Sequence, residues 1–136
     1  MPTAAEYDEW GRWFSARADE MSGLLVSALT EDLADVVTGG SLAVAVDVAI
    51  RASATNALTA AGQLRELADE CARRAQVCRD YDSAMHEYEG RMAAYRSALG
   101  EYVERVEEAE AGGSGYPGSP PWPPSEPARP ESWVER

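Results

Sequence analysis

Residues 42–110 contain no proline, and this run limits the possible folds more than any other feature of the chain. Three glycines within it, Gly62, Gly90 and Gly100, are isolated, and each costs a helix only about 1 kcal/mol relative to alanine. The run therefore predicts one long helix over residues ~42–110. A bend or interruption near residues 53–56 is the alternative.

Within this predicted helix, apolar side chains recur every seven residues. Position a of the heptad holds Leu64, Cys71, Cys78, Met85, Met92, Leu99 and Val106. Position d holds Leu67, Arg74, Tyr81, Tyr88, Tyr95 and Tyr102. A sustained seven-residue repeat predicts a coiled-coil-like seam. Arg74 breaks the pattern, and we expect it either to pair with an acidic residue of a partner or to mark where two seams diverge.

A shorter amphipathic helix is predicted before this run, over residues ~4–38. Its apolar side chains follow one another at three- to five-residue steps: Tyr7, Trp10, Phe14, Met21, Leu25, Ala28, Leu33 and Val36. The Thr-Gly-Gly-Ser sequence at residues 38–41 interrupts the pattern, as glycines do where helices end. The predicted fold is therefore all-α, an antiparallel helical hairpin over residues 1–111 with a long second helix.

The segment from residue 112 to residue 136 differs sharply in composition and holds seven of the eight prolines. Proline excludes a helix there, and the segment has too few apolar residues for a core of its own. We predict a disordered or polyproline-II tail that acts as a linker or solubilising spacer. The alternative is a docking peptide anchored by Trp122 or Trp133.

The first helix is too short to cover the second, which leaves residues 77–110 beyond its reach. That stretch carries the tyrosine–methionine stripe: Tyr81, Met85, Tyr88, Met92, Tyr95, Leu99 and Tyr102. A bare stripe would be a large apolar patch, so we predict an obligate oligomer, most simply a four-helix bundle of two hairpins. Tyrosine and methionine suit a semi-exposed face, which favours a partner-binding role over ordinary core.

The charge of the chain limits its partners. It has 24 acidic residues against 12 basic ones and a formal net charge of -12. Such a surface repels nucleic acid and anionic lipid, so a protein partner with a basic patch is expected. We find neither a signal peptide nor an apolar run of ~18 residues. These features predict a cytoplasmic protein without membrane insertion, exported, if at all, by a route without a cleaved signal peptide.

No catalytic or cofactor-binding motif occurs in the sequence, so we predict that the chain is not an enzyme and holds neither cofactor nor metal. The two cysteines, Cys71 and Cys78, would lie ~10 Å apart on one helix, which is too far for a bridge within the chain. We interpret them as small buried hydrophobes. An interchain disulfide and a metal site are the alternatives.

The outline resembles the WXG/ESX class of small helical-hairpin proteins of bacterial type VII secretion. Residues 64–81 are similar to the second helix of WXG-like domains that precede secreted toxins. This class forms four-helix dimers whose members are secreted substrates or their escorts. The turn at residues 38–41 has no W-x-G, however, and no tyrosine of the stripe is followed by the Y-x-x-x-D/E export signal.

The resemblance therefore implies an adaptor or co-secreted companion of an effector, whose partner carries the export signal. The partner would be an effector domain, a related hairpin or a second copy of this chain. The alternative function is a homo-oligomeric coiled-coil scaffold or assembly protein. Both functions require a binding face for another helix and neither requires a catalytic site.

Overall fold

The computed structural model describes residues 2–30, 40–113 and 115–134. It contains two helices, α1 at Ala4–Thr30 and α2 at Gly40–Gly112. They pack against each other in antiparallel fashion, which confirms the predicted all-α hairpin with a long second helix. The end of the predicted first helix and part of the predicted turn lie at residues 31–39, outside the described residues.

A capping box, which the helical periodicity alone does not reveal, begins α1. The Thr3 hydroxyl donates to a carboxylate oxygen of Glu6 at 2.9 Å, and the Thr3 backbone N–H donates to the same oxygen at 2.7 Å. The Glu6 N–H in turn donates to the Thr3 hydroxyl at 3.3 Å. The backbone hydrogen bond is the main cause that lowers the pKa of Glu6. The T-x-x-E spacing is the signal that predicts such a box.

The second helix is continuous for 73 residues and has no interruption at residues 53–56. It ends where Gly113 adopts a left-handed backbone with a φ of 67°. The N–H of Gly113 donates to the carbonyl of Ala109 at 3.0 Å. This is the αL cap that glycine forms without a Cβ penalty, and it turns the chain away from the helix axis.

The chain forms two compact units, and the boundary between them lies within α2. The first, Pro2–Gln76, contains α1 and the first half of α2 and is called the hairpin unit below. The second begins at Val77 and contains the rest of α2 with the proline-rich tail, and it is called the stripe unit.

Small side chains form the seam of the hairpin unit. Ala18 of α1 and Ala61 and Ala75 of α2 are fully buried. Gly11 lies so close to α2 that a Cβ atom on it would sit 3.4 Å from Cβ of Cys71 and 3.5 Å from the carbonyl oxygen of Ala68. Because the distance between two helices depends on the side chains at the contact, these residues allow a close approach.

The register of this seam differs from the predicted one. Leu67, predicted at position d, is 47% exposed, whereas its neighbour Ala68 is only 7% exposed. In the hairpin unit α2 therefore packs through positions a and e, with alanines spaced seven apart at position e. The predicted a and d positions become the covered face only beyond Val77, so the two seams diverge near Arg74.

The side chain of Arg74 links α1 to α2, and its pairing with an acidic residue of a partner stays a prediction. Its guanidinium donates to the hydroxyl of Tyr7 at 3.4 Å and lies 5.8 Å from the centre of the Tyr7 ring. It also donates to Glu70 at 2.7 Å, as Arg73 does at 2.8 Å. These hydrogen bonds from Arg73 and Arg74 lower the pKa of Glu70 to about 2.

Candidate partner-binding surfaces

The tyrosine–methionine stripe is not bare. Tyr81 is buried, with 4% of its surface exposed. Its other members are half-buried rather than exposed: Met85, Tyr88, Met92, Tyr95, Leu99 and Tyr102. This face is therefore partly covered within the chain, and its use by a partner stays a prediction.

The tail is positioned against α2 at both ends of the stripe. A shallow pocket of about 260 Å³ lies at one end and is lined by Val77, Asp80, Tyr81, Ala84, Ala128 and Pro130. A second one of about 200 Å³ lies at the other end and is lined by Arg105, Glu108, Ala109, Gly115, Tyr116 and Pro117. The tail thus returns along the helix from its C-terminal end towards Val77.

The tail is just long enough, when extended, to connect these two positions. The stretch of α2 from Ala84 to Arg105 spans about 32 Å at 1.5 Å per residue. The tail from Pro117 to Ala128 spans about 34 Å if it adopts the polyproline-II rise of 3.1 Å per residue. An extended chain of this length just bridges the two positions, so the tail runs antiparallel to α2 beside it.

The prolines of the tail differ in their exposure. Pro121, Pro124 and Pro127 are half-buried, whereas Pro120 and Pro123 are exposed. The covered prolines are three residues apart, which is the repeat of a polyproline-II helix. This spacing is visible in the sequence, but composition alone does not show that it marks a covered face. The disorder predicted for the tail in solution stays a prediction.

The two tryptophans of the tail differ in environment. Trp122 is 90% exposed and lies between the covered prolines, on the outer side of the tail. Trp133 is half-buried and its indole N–H donates to the carboxylate of Glu131, while Val134 beside it is buried. Their role as docking anchors for another protein stays a prediction.

Exposed apolar side chains are concentrated on the hairpin unit. On α1 they are Trp10, Trp13 and Leu24, and Leu24 is 70% exposed. Their spacing of three and eleven residues places them on one face of the helix, beside the buried face that contains Ala18. The guanidinium of Arg17 lies 5.5 Å from the centre of the Trp13 ring on the same face. Trp10, predicted among the packed residues of this helix, is thus largely outside the seam.

A second exposed row lies on α2. It consists of Val44, Val48 and Leu58, each more than half exposed. The spacings of four and ten residues put these side chains on one helix face. The heptad pattern does not select these residues, although the i, i+4 spacing of the valines is a signal that identifies such a face. The α1 and α2 rows together are called the hairpin rows below.

An acidic groove runs along the hairpin unit between α1 and α2. It has a volume of about 540 Å³ and a floor of glycine, alanine and serine. Its charged lining residues are Asp8, Arg12, Asp19 and Asp69. Three carboxylates against one guanidinium give the groove a negative charge, which favours a basic group on a partner.

Both cysteines are free and buried, at Cys71 and Cys78. Burial is the main cause that raises the pKa of both thiols, which keeps them protonated at neutral pH. Across the described ranges, no cluster of three or more histidine, cysteine or acidic side chains is arranged to hold a metal. Within the same ranges, no helix has an apolar stretch long enough to cross a membrane.

Comparison with known proteins adds no relative: no family model, curated protein or solved structure matches this chain. The two-helix antiparallel architecture of the WXG/ESX resemblance is present in the structure. Membership of that class is not shown. The exposed apolar side chains of the hairpin rows indicate a protein partner, and they are the basis for a functional assignment.

Proposed function

We propose that this chain is a non-enzymatic helical protein that binds another helical protein through its hairpin unit. The observation that carries this proposal is the pair of hairpin rows. Large apolar side chains at Leu24, Val44, Val48 and Leu58 are exposed along two helices. Burying one such side chain contributes about 1.5–3 kcal/mol, so a partner that covers both rows gains considerable stability.

A helical partner fits these rows better than an extended one. Each row has helical spacing, so a further helix can pack along it and extend the hairpin towards a helix bundle. The acidic groove between α1 and α2 favours a partner that also carries arginine or lysine. The partner is therefore a related hairpin, a helical effector domain or a second copy of this chain, and the assembly is an obligate oligomer.

The type VII secretion role is the more specific form of this proposal. The hairpin architecture supports it, and the missing export signal makes this chain the adaptor or companion rather than the exported protein. In this form the tyrosine–methionine stripe is a second binding face, where Tyr88 and Tyr95 would contact the partner. A co-expression screen with the helical proteins encoded beside this chain tests the assignment.

The test of the binding face compares two pairs of charged substitutions on the same part of α2. Val44→Glu with Val48→Glu places two carboxylates in the exposed row. Ala45→Glu with Ala49→Glu adds the same charge at exposed positions on another side of the helix. Co-purification and light scattering on the full-length chain then report the partner and the mass of each complex.

We expect the valine pair to abolish capture of the partner and the alanine pair to retain it. Equal capture by both variants would contradict a binding face at the α2 row. A stable particle of two or four identical chains, dissociated only by the valine substitutions and binding no other protein, would favour the scaffold function. A stable monomer that captures nothing would refute both functions.

A further inference from the structure

The stripe and the tail have repeats of nearly equal length. Successive tyrosines of the stripe are seven residues apart, which is about 10.5 Å along an α-helix. Successive covered prolines are three residues apart, which is about 9.3 Å along a polyproline-II helix. Over the length of the stripe, each covered proline therefore has a tyrosine of α2 near its own level.

The chemistry of the two faces is also complementary. Pro-rich segments dock in grooves lined by aromatic rings, because the flat ring accepts the proline ring and the segment is already extended before it binds. Tyr81, Tyr88, Tyr95 and Tyr102 supply four such rings in line. Leucine would pack better in a tight helical dimer, so a proline-rich ligand accounts for tyrosine at these positions.

We infer that residues 115–134 are an intramolecular polyproline-II ligand of the tyrosine–methionine stripe, and that a partner helix must displace this tail before it can use the stripe. The contact between tail and stripe is supported by the half-buried state of the tyrosines and of three prolines, and by the similar lengths of the stripe and the tail. The displacement step rests on the proposed function, whereas the contact between tail and stripe does not. The hairpin rows then remain accessible while the tail covers the stripe.

The test compares two double substitutions in the full-length chain. Pro124→Ala with Pro127→Ala removes two covered prolines, and Pro120→Ala with Pro123→Ala removes two exposed ones. Both variants lose equal polyproline-II preference, so a difference between them reports the face that touches the helix. The measurement is the backbone order parameter of the amides of Ser125, Glu126 and Ala128 by nitrogen-15 relaxation.

In the unaltered chain we expect order parameters of about 0.8 at these three amides, close to the value of rigid backbone. Removal of the covered prolines should lower them below about 0.6, the flexible range, and shift the amide signals of Tyr88 and Tyr95. Removal of the exposed prolines should change neither quantity. This measurement needs no partner, so its result is independent of the capture experiment.

Three results would overturn the inference. One is a tail with order parameters below about 0.6 in the unaltered chain. Another is an equal response to the covered and the exposed substitutions. The third is contact between the tail of one copy and the stripe of another, seen as nuclear Overhauser effects between differently labelled chains together with a doubled mass. If the tail is docked but a captured partner leaves the stripe signals unchanged, the displacement step is wrong.

Discussion

The two parts of α2 meet their neighbours with opposite kinds of side chain. In the hairpin unit, alanine and cysteine face Gly11 and Ala18 of α1. In the stripe unit, tyrosine, methionine and leucine share a half-buried face with a proline-rich segment alongside it. One continuous helix thus packs against α1 through its smallest residues and carries its largest ones on a half-buried face beside an extended chain.

Side-chain size explains this division. Alanine and glycine bury little surface each, but they let two helical backbones approach closely. A helix with large rings at the same positions could not come so near. An extended chain is narrower than a helix and brings only proline rings to the contact, so the tyrosines can supply most of the buried surface. Different partners therefore demand different residues on α2.

The largest effect should come from overpacking the small-residue seam. Ala75→Leu places three further carbon atoms at a fully buried position and should lower the free energy of unfolding by about 1–3 kcal/mol. Ala52→Leu, at an exposed position of the same helix, should change it by less than about 0.5 kcal/mol. Urea unfolding followed by circular dichroism measures both. Equal stability of the two variants would show that this seam is loosely packed.

The second largest effect should come from removing aromatic rings from the tyrosine–methionine stripe. Tyr88→Leu with Tyr95→Leu keeps apolar side chains and helix-forming residues but removes two flat rings. We expect helix content to be unchanged while the order parameters of the tail fall from about 0.8 to below about 0.6. Circular dichroism and nitrogen-15 relaxation give the two readouts. If the tail stays ordered, apolar area alone holds it and the aromatic rings are dispensable.

Glycine-to-alanine substitutions should change the stability of the two units by different, smaller amounts. Gly90→Ala in the stripe unit gains about 1 kcal/mol of helix preference and adds a Cβ with no neighbour within 4 Å. Gly11→Ala should gain less, because its Cβ must fit 3.4 Å from Cβ of Cys71. Thermal unfolding of both variants checks this order, and a larger gain at Gly11 would show that the added Cβ packs against Cys71 without strain.

The smallest effect should be the acid dependence of the hairpin unit. Hydrogen bonds from Arg73 and Arg74 lower the pKa of Glu70 to about 2 from its ordinary 4.5. A lowered pKa contributes stability above the ordinary value, and this stability is lost as the pH falls from 4.5 towards 2. The groups are exposed, so the contribution is small. The urea midpoints of the unaltered chain and Glu70→Gln should therefore converge as the pH falls through this range, and parallel curves would show that the pair is not coupled to folding.

Several elements of the fold follow from the sequence for a clear physical reason. The absence of proline predicts α2, and the seven-residue repeat predicts the face that is covered beyond Val77. The register of the hairpin seam does not follow in this way. Leucine is more apolar than alanine, so a search for apolar repeats selects Leu67, whereas the close approach of Gly11 selects Ala68. Only the position of α1 decides between the two.

The candidate surfaces divide in the same manner. The stripe is evident in the sequence as a pattern. The composition of the tail does not predict that it lies beside the stripe, because the tail has too few apolar residues to form a core. The hairpin rows are not evident, because exposure depends on where a neighbouring helix lies and not on the side chain alone. Trp10 illustrates this, since its spacing suits the packed face of α1 and the structure leaves it largely exposed.

The helices, the start of the proline-rich tail and the line of tyrosines can be read from the sequence, because they follow from local backbone preference and residue spacing. The tertiary structure decided which faces are used. Packing of α1 requires small residues and so chose the alanine register near Ala68. The reversal at Gly113 brings the tail back along α2, to a position near Val77 and Tyr81. Both choices depend on contacts between residues far apart in the chain, which local pattern does not encode.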